Sequence, residues 1–270
     1  MGFFCRDWTV IKTPKTASFQ PNVRVVGFTA PVRIMVANAK GGCGKTTVAT
    51  NIASYLARQH HKTALLDFDP QGSAIDWLQA RGNHLPPIEG VAGYQKHSPV
   101  LTTRTWTLRV EANTNYIVMD TPAGLAGNEL SDMIHQADML VIPVIPSAID
   151  IRAATGFIRD VLLSRSYRIK PKPIAVVANR VRKNTLIYGK LERFLKSLNI
   201  PFITALRDTQ FYVRASEHGF GLVDFDQYDH KDKKEWKPLT DWIDGISEDV
   251  LQQRPTTAIE PSSAISRQAQ

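Results

Sequence analysis

Residues 34–47 constrain this chain more than any other stretch. The apolar run Ile34-Met35-Val36-Ala37 ends just before Lys40-Gly41-Gly42-Cys43-Gly44-Lys45-Thr46-Thr47, and an apolar periodicity of helical spacing starts at Val48. A strand that passes through a glycine loop into a helix aims several main-chain N–H groups, and the positive end of the helix dipole, at one point. That point suits a polyphosphate. Gly41, Gly42 and Gly44 let the main chain wrap an anion without Cβ clashes, Lys45 supplies a point charge for the β- and γ-phosphates, and the Thr46 hydroxyl can ligate Mg²⁺. Cys43 and Thr47 complete the lining. The ordinary loop has a glycine, four residues, then Gly-Lys-Ser/Thr. Here Ala39 holds the first glycine slot, so the loop is a variant.

Two further stretches end a short apolar run in acids. Thr63-Ala64-Leu65-Leu66-Asp67-Phe68-Asp69-Pro70-Gln71-Gly72 delivers two carboxylates at the end of a strand, and Tyr116-Ile117-Val118-Met119-Asp120-Thr121-Pro122-Ala123-Gly124 delivers one. Ligand sites in open parallel sheets lie at those strand ends. Asp120 is expected to hold Mg²⁺ through a water, with Thr121, Pro122 and Gly124 as the turn beside the γ-phosphate. Nearly continuous apolar strands alternating with helical patterns predict an α/β fold, a mostly parallel twisted sheet with helices on both faces.

The run KGGCGKTT resembles the deviant P-loop of the ParA/MinD ATPases, and DxDPQG at 67–72 resembles the motif that follows their second strand. The resemblance covers about residues 32–250. It implies an ATPase that uses ATP and Mg²⁺ and forms a homodimer in the ATP state, with Lys40 reaching across the interface to the partner's nucleotide and Lys45 acting in cis. On the same reading Asp67 positions the attacking water, Thr46, Asp69 and Asp120 form the metal shell, and Asn179, at the tip of the 174–178 strand, contacts the base. Metabolic enzymes of this fold, such as amidoligases, generally lack the early lysine, so Lys40 counts against them. The cargo is a plasmid, a chromosome region or a protein complex, and a ParB-like or other activating adaptor is expected.

Charge selects the surface such a switch would bind. The chain carries a net +8, yet residues 165–196 alone hold ten basic side chains against one acid, so the remainder is close to neutral. A localised positive field points to a polyanion, here nonspecific DNA contacted without reading bases, with Arg182, Lys183, Lys190, Arg193, Lys196 and Arg214 as candidates. Attachment to a membrane, as in the MinD branch, is the alternative. It calls for a basic amphipathic terminus, whereas Asp241, Asp244, Glu248 and Asp249 make the polar side of the C-terminal helix acidic. No stretch approaches the roughly 20 apolar residues of a membrane span. The expected location is cytoplasmic and nucleoid-associated.

The chain divides into an extension (1–30), an ATPase domain (31–251) and a polar, disordered tail (252–270). Strands are expected at 32–38, 63–67, 116–120, 138–147, 174–178 and 200–206, with helices at 45–59, within 72–83, and at 149–164 and 185–198. Leu239, Trp242, Ile243, Ile246 and Val250 form one stripe of a final helix. Residues 84–99 show no pattern, and 100–110 fit strand and helix equally.

Overall fold

A computed structural model describes residues 30–94, 110–111, 113–182, 189, 191–193, 200–225 and 230–254. The extension up to residue 29, the ambiguous 100–109 stretch, most of the 185–198 helix and the tail from 255 lie outside the described residues, as do Lys183, Lys190 and Lys196.

Strands β1 (Val32–Val36), β2 (Thr63–Asp67), β3 (Ile88–Ala92), β4 (Tyr116–Asp120), β5 (Met139–Val144), β6 (Ile174–Val181) and β7 (Phe202–Arg207) form one sheet in the order β3-β2-β4-β1-β5-β6-β7. Every pairing is parallel. Both faces of such a sheet must be covered, and the strands alternate their side chains between them. Ile34, Val36, Leu65 and Val118 pack under α1 (Lys45–Arg58), α2 (Ser73–Ala80) and the final helix. Met35, Ala37, Leu66, Met119 and Ile142 pack under α3 (Gly127–Gln136) and α4 (Ala148–Leu163), beyond which runs α5 (Arg165–Ile169). The final helix begins after α6 (Phe211–Glu217) and the 3-10 turn Leu222–Asp224; it is α7 (His230–Gln253).

The architecture follows the sequence reading, with β3, α3, α5 and α6 as additions. Residues 84–99, read as patternless, contain β3, an edge strand in which Val91 alone is buried, so the alternation that marks a half-covered strand is faint. A Cβ on Gly90 would meet Leu78 Cδ1 at 2.7 Å, so a side chain there would push the end of Leu78 aside. Helix α3 went unassigned although Leu130, Met133 and Ile134 have helical spacing; three apolar positions in ten residues make a weak signal. In α7 the expected stripe is present, with Leu239 and Ile243 fully buried, and Trp236 extends it by a turn. Pro238, inside α7, is exposed.

Strand register sets the site. Asp67 of β2 is level with Asp120 of β4, and Asp120 is level with Val36 of β1, so both carboxylates stand beside the strand that feeds the glycine loop.

Candidate functional site

The loop after β1 is braced from beneath. Asn38, fully buried, donates Nδ2 to the Pro143 carbonyl (2.7 Å) and accepts the Lys40 N–H on Oδ1 (3.2 Å). The Lys40 carbonyl in turn accepts Lys45 Nζ (3.1 Å) and the Cys43 thiol (3.3 Å). Burial raises the pKa of that thiol, so Cys43 fills space as a neutral group. Gly44 has φ 92°, and a Cβ on it would lie 2.0 Å from Asn179 Nδ2, so this position excludes every side chain.

Asn179 sits behind the loop. Its Nδ2 donates to the Cys43 carbonyl (2.9 Å) and its Oδ1 accepts the Arg180 N–H (2.9 Å), so the residue expected to read the base is engaged in holding the loop. Arg180 is exposed and adopts a left-handed conformation, φ 52°, uncommon for an arginine.

The three carboxylates differ sharply in environment. Asp67 is fully buried, and its oxygens accept three main-chain N–H groups: Asp69 at 3.0 Å, Ala74 at 2.9 Å and Ile75 at 3.2 Å. Two of these donors belong to the first turn of α2, where a helix leaves N–H groups unsatisfied. Burial raises its pKa, opposed by those same donors. Asp69 is half-buried; Oδ1 accepts the Gln71 N–H at 2.9 Å, and Oδ2 has no protein partner among the described residues.

Asp120 is 1% exposed, and neither of its oxygens has a hydrogen-bond partner. Burial pushes its pKa to about 7. Thr46 lies beside it and pulls that value down without reaching hydrogen-bonding geometry. An orphaned, buried carboxylate next to a threonine hydroxyl and a phosphate loop is the oxygen donor set of a Mg²⁺–phosphate site. No cluster of three or more His, Cys, Asp or Glu forms an all-protein metal cage among the described residues. That suits Mg²⁺, which takes few protein oxygens and draws the rest from water and phosphate.

Lys40 is exposed while its main chain is pinned on both sides, and Lys45 is buried inside the loop. The described basic residues of the 165–196 window do not form a single patch. Strand β6 runs through it and spans about 26 Å at roughly 3.3 Å per residue. Arg165, Arg168, Lys170 and Lys172 precede this strand, at the end of the sheet away from the loop. Arg180 and Arg182 are at the loop end. Arg182 is exposed and paired with Asp208 (3.2 Å); Arg193 is exposed, with Nε on the Gly189 carbonyl (3.1 Å); Arg214 is exposed on α6. The sequence reading passed over Lys233 and Lys234, which are exposed in the first turns of α7. Arg207 at the end of β7 anchors that helix start through Asp232 (2.7 Å). The dense run Lys231-Asp232-Lys233-Lys234 was the available signal.

Comparison with known proteins agrees with this geometry. The family described as the CobQ/CobB/MinD/ParA nucleotide binding domain matches residues 34–222. Maintenance of carboxysome distribution protein A from Halothiobacillus neapolitanus is 30% identical over 194 residues, which covers 70% of this chain and 85% of that protein. The chromosome-partitioning ATPase Soj from Thermus thermophilus is 48% identical over 66 residues, 22% of this chain and 26% of Soj. Among solved structures, a plasmid partition protein from Borrelia burgdorferi bound to AMPPNP superposes with a TM-score of 0.59 at 19% identity, covering 80% of this chain and 99% of that one; this likeness concerns the fold. With its variant phosphate loop, its level acids and its seven-stranded parallel sheet, the chain belongs to the CobQ/CobB/MinD/ParA family of nucleotide-binding domains.

Proposed function

We propose that this protein is a Mg²⁺-dependent ATPase that dimerises around ATP, binds DNA without sequence preference in that state, and positions a cargo with the help of an activating adaptor. The observation that carries this reading is the unpartnered Asp120 carboxylate beside Thr46 and Lys45, a buried charge that Mg²⁺ and a triphosphate would neutralise. When bound, the metal supplies charge neutralisation at the phosphates. Asp120 and Thr46 would hold it, Lys45, now on the Lys40 carbonyl, would serve phosphate oxygens, and the exposed Lys40 side chain would reach the nucleotide of the second subunit.

The water-positioning role belongs to Asp69. Both oxygens of Asp67, expected from the sequence to fill that role, are occupied, Oδ2 in capping α2 and Oδ1 by the Asp69 N–H, whereas Asp69 keeps an oxygen free. Asp67→Ala is therefore expected to lose about 2 kcal/mol of stability. Asp69→Ala should keep its fold and release phosphate roughly 10²-fold more slowly. Denaturant melts paired with a phosphate assay check both. An Asp67→Ala protein of normal stability that no longer turns over ATP would return the role to Asp67.

For DNA, the support is the exposed Arg182, Arg214, Lys233 and Lys234, on elements tied together by the Arg182–Asp208 and Arg207–Asp232 pairs and the Trp236–Tyr212 hydrogen bond. Retention on a nonspecific duplex in the presence of ATP is expected to fall steeply with salt, and each alanine at Arg214, Lys233 or Lys234 should lower the log–log salt slope by about 1. ATP-dependent liposome binding without DNA binding would instead favour the membrane-associated alternative.

A further inference from the structure

At the end of the sheet away from the phosphate loop, the starts of β5 and β6 and the last turns of α7 surround a cavity of about 240 Å³, walled by Asp138, Lys170, Lys172, Asp249 and Arg254 among others. The segment Lys170-Pro171-Lys172-Pro173 forms one wall. Each proline fixes its own φ and holds the residue before it extended, so neither lysine has much main-chain freedom to lose on binding. Both lysines line the cavity, Lys170 exposed and Lys172 buried.

Charge in this corner is unbalanced. Lys172 is only 8% exposed and makes no hydrogen bond or ion pair among the described residues. Arg33, at the start of β1, has its Nε buried without a partner. Asp138 offsets part of this with a single charge that it also shares with Arg254: its Oδ2 takes Arg254 Nη2 (2.7 Å) and the Arg33 main-chain N–H (2.9 Å). Arg254 is further tied to the carbonyls of Ala30 and Pro31. The other acid on the cavity wall, Asp249, is exposed. Burial, followed by the proximity of Lys170, lowers the pKa of Lys172, with Asp138 opposing the shift.

We propose that this cavity is an anion site that takes a phosphate group, free or terminal on a small molecule, between Lys170 and Lys172, with Arg33 adding to the field. Its volume is below the usual range for pockets that hold drug-sized ligands and is several times a water's share of liquid volume, so it suits a phosphate with its waters rather than a nucleotide. The site is separate from the phosphate loop and does not depend on the reading of that loop.

The test is calorimetric titration of inorganic phosphate into full-length Lys45→Ala protein, in which the phosphate loop has lost its point charge. One saturable event is expected. Lys172→Gln and Lys170→Gln should each weaken it at least tenfold, and Lys172→Arg should retain it. No event in the Lys45→Ala background, or an event that neither glutamine variant moves, overturns the proposal. If Lys172→Gln does not fold, exposed Lys170 and the charge-preserving Lys172→Arg still decide the matter. A DNA duplex without terminal phosphates should not displace the bound phosphate; displacement would assign the site to a nucleic-acid backbone and overturn it.

Discussion

Asp120→Asn is expected to raise the melting temperature of the nucleotide-free protein while removing its Mg²⁺-dependent turnover of ATP. The two effects have one origin. Asp120 has its pKa raised from 3.8 to about 7 by burial, so at pH 8 the folded protein carries an unpartnered buried charge. The group binds its proton more tightly folded than unfolded. Its contribution to stability is therefore most unfavourable above pH 7 and is relieved as pH falls from about 7 towards 4, by roughly 4 kcal/mol at most. Asparagine removes the charge but leaves an amide without partners, which costs about 1–2 kcal/mol of that gain. A net 2 kcal/mol in a domain of this size corresponds to about 5 °C at pH 8. The advantage should shrink at pH 5, where the aspartate is already neutral. Turnover, in contrast, should fall roughly 10²-fold or more, because the site would lose the unpartnered buried carboxylate it offers a metal. Melts at the two pH values with a phosphate-release assay test both halves. An Asp120→Asn protein that melts lower at pH 8, or that retains Mg²⁺-dependent hydrolysis, contradicts this assignment.

The parts of this fold that were legible in the sequence are those where one local rule governs. Strands β1, β2 and β4 are covered on both faces, and β2 and β4 end in an acid while β1 leads within a few residues into the glycine loop, so their apolar runs and their ends are both visible. β3 is an edge strand of mixed composition, and its place beside β2 depends on packing against α2 that no local pattern encodes. The site shows the same division. The loop residues and acids could be placed by spacing, but the roles of the acids could not, because they depend on what surrounds each carboxylate. Asp67 and Asp69 are two residues apart and chemically identical, yet one faces the start of α2 and the other keeps a free oxygen. Asn179 likewise needed the three-dimensional approach of β6 to the glycine loop before its bond to Cys43 could be seen. The basic window was contiguous in sequence and is divided in space, because a buried strand passes through its middle.

The early lysine bears on the central claim, that ATP brings two subunits together. Lys40 has its main chain fixed by Asn38 and Lys45, and its side chain stands exposed at the rim of the loop. In a two-fold dimer the contact occurs twice, so its loss is felt twice. A desolvated ammonium–phosphate pair contributes about 2 kcal/mol or more. Removing both copies should weaken dimerisation about a thousandfold. The direct measurement is the molar mass by light scattering of the full chain with ATP and Mg²⁺, comparing Lys40→Ala with the unaltered lysine in an Asp69→Ala background that slows turnover. A dimer is expected with Lys40 and a monomer with alanine at the same protein concentration. Equal masses for the two proteins, whether both are dimers or both monomers, would contradict it.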